Sequence, residues 1–250
     1  MWEPELEFAN ELADRAAEIG LGFFGGEFEI SHKADFTPVT EADLAIEEMI
    51  RKALVERFPG DAILGEEHGL EGESERVWVI DPIDGTKNFA DGIQVWATLI
   101  ALVIHDHPTV GVVSAPALGE RYEAARGSGA FLDGEPIHVS DEATLRRSFV
   151  LHGGVGDWLR GPWRQPFEDL VTGVRRTRGM GDFWGHMLVA RGGADVMVEM
   201  ELRTWDMAAV QVVVEEAGGR MTQLDGSPIA DRGSALSTNG LLHDEVAARF

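Results

Sequence analysis

The chain has 250 residues, 44% of them hydrophobic, and no cysteine, so it can bury a sizeable core but has no disulfide or thiolate chemistry. Its 44 acidic residues against 21 basic ones leave a formal charge of −23, which argues against a broad electrostatic grip on nucleic acid or an anionic membrane. The same charge is compatible with holding divalent cations. The apolar run Val95 to Ile104 is half the length needed to cross a bilayer and reads as a buried strand. The N-terminal "MWEPELEFANELADRAAEIG" lacks a basic region followed by an apolar run, so a cytoplasmic protein without a signal peptide is expected.

In chain order, Leu6, Ala9, Leu12, Ala16 and Ile19 mark one face of a helix over residues 3 to 21. A polar loop, "ISHKADFTPVT", precedes a second helix that opens with Thr40 and Asp43 in a capping-box pattern and stops at Pro59-Gly60. "AILGEEHG" reads as a short strand entering an acidic turn. Strands are expected over 77 to 80, 95 to 104, 109 to 115, 120 to 125 and 129 to 132, with His105 to Pro108 as a hydrated hairpin connection. Beyond residue 140 the order becomes strand (148 to 153), helix (157 to 172), strand ("VRRTRGM") and helix (183 to 191). Strand "ADVMVE", helix "TWDMAAVQVVVEEAGG", two further strands and a last helix near Leu241 complete the chain. This succession predicts a layered α/β domain spanning 1–250, with a first half (1–140) and a second half (141–250) packed together.

Within that scheme, "WVIDPIDGTKNF" (Trp78 to Phe89) ends an apolar strand on two aspartates, Asp81 and Asp84, around a proline. Asp, Pro and Gly are ordinary turn residues, so the stretch alone admits a purely structural reading. Asp43 in "PVTEAD", Glu66-Glu67 in "LGEEHG" and Asp206 in "TWDMAA" also sit at strand ends or helix starts, where side chains of an α/β protein converge. A cap would account for Asp43, a helix-dipole preference for Asp206 and a solvated turn for the Glu pair. Taken together they suit hard, oxygen-seeking ions such as Mg²⁺. Two such ions held roughly 3.5–4 Å apart are the usual clamp for phosphate-ester hydrolysis.

The segments "GEE", "WVIDPIDGTKNF" and "WDMAAVQVVVEEAGG", in this order, resemble the three signature blocks of the inositol monophosphatase family, and "KADFTPVTEAD" resembles its lysine loop. The resemblance spans nearly the whole chain and implies an α-β-α-β-α sandwich of the inositol monophosphatase/fructose-1,6-bisphosphatase type. It implies two or three Mg²⁺ ions, with Asp81 bridging two of them. Glu66 and the Ile83 carbonyl would complete one site, and Asp84 with Asp206 the other. Gly85 and Thr86 would offer backbone N–H groups to the phosphate. Thr86, hydrogen-bonded to Asp43, would orient the attacking water, with Glu66 also near a third ion. Glu67 would support the ligands, Lys33 would be the loop lysine, and Lys87 would serve the surface. The implied reaction is direct attack of a metal-activated water on a phosphate monoester without a phosphoenzyme, in a homodimer.

For the substrate, Glu199 lies seven positions before Asp206, where the family contacts the leaving alcohol. Asp182 in "RGMGDFWGHM" stands where many inositol-type members have a small residue. Two acids beside the phosphate suit an ammonium-bearing alcohol. Trp96, Phe183 and Trp184 would offer a flat wall for a ring unless they are plain core, and His186 would face either. "VWATLIALV", "GVVSAPALGERY" and "STNGLLHDEV" look closest to the actinobacterial-type histidinol-phosphatases within the family. That resemblance implies L-histidinol phosphate as substrate, in histidine biosynthesis. The alternatives are a phosphatase of the same family acting on inositol, sugar or nucleotide phosphates, or a regulatory factor in a transcription complex.

Overall fold

The computed structural model describes residues 2–26, 30–32 and 38–250. Lys33 lies outside them. The first half of the chain runs α1 (Glu3–Phe23), β1 (Ile30–His32), β2 (Pro38–Thr40), α2 (Glu41–Arg57), β3 (Ala62–Gly65), β4 (Gly69–Glu71), β5 (Arg76–Asp84), α3 (Thr86–Ala90), β6 (Ala97–Ile104), β7 (His107–Ala115), β8 (Glu120–Ala125), β9 (Ala130–Leu132) and β10 (Glu135–Ile137). The second half runs β11 (Phe149–His152), α4 (Val155–Arg160), α5 (Arg164–Thr172), β12 (Arg176–Gly179), α6 (Asp182–Ala190), β13 (Val196–Arg203), α7 (Thr204–Glu216), β14 (Arg220–Thr222), β15 (Arg232–Thr238) and α8 (His243–Ala247).

Strands β3 to β10 form one eight-stranded sheet in the order β10-β9-β8-β7-β6-β5-β3-β4, antiparallel except for the β3–β5 pair. A five-stranded sheet follows in the order β12-β11-β13-β15-β14, with β11 parallel to both of its neighbours. Side chains alternate faces along a strand, and this period of two sorts the layers. Trp78, Ile80, Ile100 and Leu102 pack with Leu12, Ala16, Ile46 and Ile50 of α1 and α2. Their odd-numbered neighbours Val79, Leu99 and Ala101 face Met207, Val210 and Val214 of α7 and Met187 of α6. On β13, Val196 and Val198 join the outer cluster with Trp158, Phe167 and Val246, while Met197 packs on the opposite side with Val189 of α6. The result is the α-β-α-β-α sandwich, with α6 and α7 as the central helical layer.

Two differences from the sequence reading concern the chain's path. The helix expected over 157 to 172 is two helices, α4 and α5, because Gly161-Pro162 interrupts the hydrogen-bond ladder. The strand expected to end at Ile80 runs on to Asp84, its pairing with β6 shifting register between Asp81 and Asp84. Pro82 has no N–H to lose in that irregular stretch, and its carbonyl accepts the Thr98 hydroxyl at 2.8 Å. No helix among the described residues is long and apolar enough to cross a membrane.

Candidate active site

The alternation that packs Val77 and Val79 against α7 continues to Asp81 on the same face, just before the register of β5 shifts. The register shift then turns Asp84 back toward the same space. Asp206 arrives from α7, where its carboxylate accepts the Arg203 N–H at 2.7 Å as part of the helix cap. Asp81, Asp84 and Asp206 each offer an oxygen within 4.8 Å of the others. Asp84 is further held by the Phe183 N–H of α6, at 2.7 Å. Gly85 makes the exit from β5 possible: its φ is +82°, and a Cβ there would sit 2.9 Å from the Val95 carbonyl.

The electrostatics follow from crowding acids away from water. Burial, then the charge of Glu66, then those of Asp84 and Asp206, hold the Asp81 carboxyl well above its usual range. Burial and then Asp182 and Asp206 do the same to Asp84. Burial pushes Asp206 up to about 7. Asp81 Oδ1 is buried without a hydrogen-bond partner among the described residues, and a buried polar atom left in that state is costly. Converging carboxylate oxygens, one of them without a donor, are the donor set of Mg²⁺ or a similar hard cation. The residues present fit such an ion.

Glu66 follows β3 directly, and its N–H extends the parallel pairing to the Ile80 carbonyl at 3.2 Å. Its charge is felt by both Asp81 and Asp206, although it is not one of the three closest acids. Asp43 is fully buried. It caps α2, accepting the Thr40 N–H at 2.8 Å and the Thr40 hydroxyl, and its charge also reaches Asp81. The capping and site readings of Asp43 are therefore compatible. Thr86 Oγ donates to the Ile83 carbonyl at 3.0 Å, and Asp43 Oδ2 accepts the Thr40 hydroxyl.

Asp182 and Glu199 meet beside this trio. Asp182 has a left-handed backbone (φ 56°), which Asp tolerates better than most residues, and its N–H donates to Glu199 Oε1 at 3.2 Å. Burial raises Asp182 to about 6, with Glu199 adding to the rise and Lys87 opposing it. Burial alone raises Glu199 to about 8. His186 lies beneath them, buried, sharing a 2.7 Å hydrogen bond between Nδ1 and Ser237 Oγ, with Nε2 3.4 Å from Glu199 Oε2. Burial drives its pKa down to about 4, so it is neutral.

Of the aromatic residues weighed as a wall or as plain core, two fall in the core. Trp96 and Phe183 are core residues, the first packed on Phe24 and Phe89, the second in the central layer. Trp184 directs its indole N–H toward Glu120, at 3.4 Å. Three contributors escaped the sequence reading. Asn88 donates to Asp182 at 3.1 Å, the Phe183 main chain donates to Asp84, and Ser237 orients His186. Only Asn88 had a signal available, as a polar residue one turn into "DGTKNF". Lys87, read as a surface residue, is exposed but close enough for its charge to act on Asp182.

Fold and site together define a phosphatase of the sandwich type, a hydrolase of phosphate monoesters, and three comparisons agree. The Inositol monophosphatase family matches residues 1–250. A histidinol-phosphatase of Mycobacterium tuberculosis is 47% identical over 257 residues, covering 100% of this chain and 99% of the relative. One from Streptomyces coelicolor is 44% identical, covering 97% of this chain and 95% of the relative. A solved Thermotoga maritima IMPase superposes with a TM-score of 0.89 at 33% identity, covering 98% of this chain and 96% of that one. The chain belongs to the inositol monophosphatase family.

Proposed function

We propose that the protein dephosphorylates L-histidinol phosphate to L-histidinol, a step of histidine biosynthesis, using two or three Mg²⁺ ions, as a cytoplasmic homodimer. The observation that carries the choice of substrate is the Asp182–Glu199 pair adjoining the Asp81–Asp84–Asp206 trio. The two similar histidinol-phosphatases support the same reading.

Asp81, Asp84, Asp206, Glu66 and the Ile83 carbonyl would hold the ions, which, when bound, offset phosphate charge and make a water more acidic. Thr86 gives its single hydroxyl proton to Ile83, so toward the cleft its oxygen can only accept a hydrogen bond. That polarity fits an attacking water, which donates. Asp43, buried at the start of α2, acts through its charge on Asp81. Gly85 and Thr86 would present main-chain N–H groups to the phosphate, and Lys33 and Glu67 would support the site from the loops. Asp182 and Glu199 would receive the substrate's ammonium group, and that incoming charge counteracts the burial that keeps Glu199 protonated.

The test is phosphate release with Mg²⁺ or EDTA on L-histidinol phosphate, myo-inositol 1-phosphate, fructose 1,6-bisphosphate and 3′-phosphoadenosine phosphate. A lead in kcat/KM for histidinol phosphate of two decades, about 2.7 kcal/mol of discrimination, is expected. A lead for inositol phosphate would keep the metal chemistry and refute the role of Asp182.

A further inference from the structure

We propose that Glu47 of α2 is a positioning residue that fixes Glu66 at the metal centre by clamping the turn behind it; this rests on the metal-site reading given above. Glu47 is fully buried (0% exposed), a costly place for a carboxylate unless donors surround it. They do. Oε2 accepts the Glu67 N–H at 2.8 Å, and Oε1 accepts the His68 N–H at 3.0 Å and Arg51 Nε at 2.8 Å. His68 Nδ1 lies 3.1 Å from the same Oε1.

The first two donors are the main-chain groups immediately after Glu66. The Glu66 N–H itself is held by the Ile80 carbonyl. Three successive peptide N–H groups are thus anchored, one on β5 and two on Glu47, and the backbone carrying the Glu66 carboxylate has little freedom left. Arg51 neutralises Glu47 and reaches onward, donating to the Gly69 carbonyl and, at 3.4 Å, to Glu71. The clamp therefore spans both ends of the β3–β4 turn. The fit is close: a Cβ at Gly65, just before Glu66, would fall 2.2 Å from Glu47 Oε1. Asp43 occupies the preceding turn of α2, and its charge reaches Asp81. Residues four apart share a helix face, so one face of α2 supports the metal centre at two points.

Charge-assisted bonds to main-chain N–H groups are among the stronger ones. Replacing the carboxylate by an amide puts a donor against a donor, which frees the turn without emptying the space. The test is Mg²⁺ binding by titration calorimetry on the full chain, with Tm in EDTA and KM at saturating Mg²⁺ measured alongside. Glu47→Gln is expected to weaken Mg²⁺ binding about tenfold, as for other residues that orient metal ligands, with KM for the phosphate ester unchanged. A residue serving stability alone would lower Tm and leave Mg²⁺ affinity at the wild-type value. Arg51→Lys, which keeps Glu47 neutralised but loses the Nε bond, should weaken binding in the same direction by less. Wild-type affinity in folded Glu47→Gln, or in Arg51→Lys should Glu47→Gln not fold, overturns the clamp. A wild-type chain that binds no divalent ion refutes the metal-site reading itself.

Discussion

The Phe183 N–H at the start of α6 donates to the Asp84 carboxylate across 2.7 Å, so the helix that carries Asp182 is tied to the strand that carries Asp81 and Asp84. Together with the Asn88–Asp182 bond, it ties the acidic trio to the proposed ammonium pocket. The two sites should still separate in substrate kinetics: Asp84 is bound through the main chain of Phe183, and losing the Asp182 side chain takes away only a charge that raises the Asp84 carboxyl.

Asp182→Ala should therefore spare the metal site. Its expected effect is a rise of about tenfold in KM for an aminated substrate, ~1.4 kcal/mol, with little change for inositol phosphate. Steady-state kinetics on both substrates decide it. A uniform loss on both would mean that the substitution disturbs α6 and, through it, Asp84.

Asp81→Asn keeps the shape of the trio and removes its most crowded charge. Activity on every substrate should fall by about 10³-fold or more. In EDTA the variant should melt above the wild type, since a buried carboxylate among carboxylates opposes folding. Each kcal/mol gained corresponds to about 2–4 °C in a chain of this size. A lower Tm in EDTA would show that Asp81 has stabilising partners in the metal-free protein.

The pH dependence of the metal-free protein has a definite sign. Asp206 titrates near 7 and Glu199 near 8 when folded, against roughly 4 for unfolded carboxyls. The folded state therefore holds more protons than the unfolded chain between about pH 4 and 8, and stability falls as pH rises through that window. His186, lowered to about 4 from 6.5, opposes this only below pH 6.5. Differential scanning calorimetry in EDTA should give a lower Tm at pH 8 than at pH 6.5. Saturating Mg²⁺ should shrink that difference, because the cation stabilises the charged carboxylates. A Tm that climbs over the same interval without metal contradicts the burial argument.

Gly85→Ala places a side chain on a left-handed residue, costing about 1–2 kcal/mol, and directs its Cβ at the Val95 carbonyl. A fall in Tm of about 4 °C or more is expected, together with lost phosphatase activity as the turn between Asp84 and Thr86 shifts. A variant with unchanged Tm and activity would show that the turn relaxes freely.

The elements were legible because their signals are local. The helical spacing from Leu6 to Ile19, the Thr40–Asp43 cap and the short apolar runs of β5 and β6 all report on neighbours a few positions apart. The carboxylates Asp43, Glu66, Asp81, Asp84 and Asp206 stood out for the same reason, each lying within a short block with a recognisable turn or cap. Element ends were less legible. β5 continues through Asp81 to Asp84 because Thr98, fourteen residues beyond Asp84, satisfies a carbonyl of the irregular stretch.

By itself, then, the sequence determined the layered α/β class, the family resemblance and the acids available for chemistry. Tertiary structure alone decided what those acids touch. Thr86 donates to Ile83, Trp96 is core, Asp84 rests on a peptide N–H supplied ninety-nine residues later, and Glu47 lies under the turn that carries Glu66. Periodicity assigns a residue to a face of its own strand or helix, but hydrogen-bond partners and burial depend on which faces of distant segments are packed together.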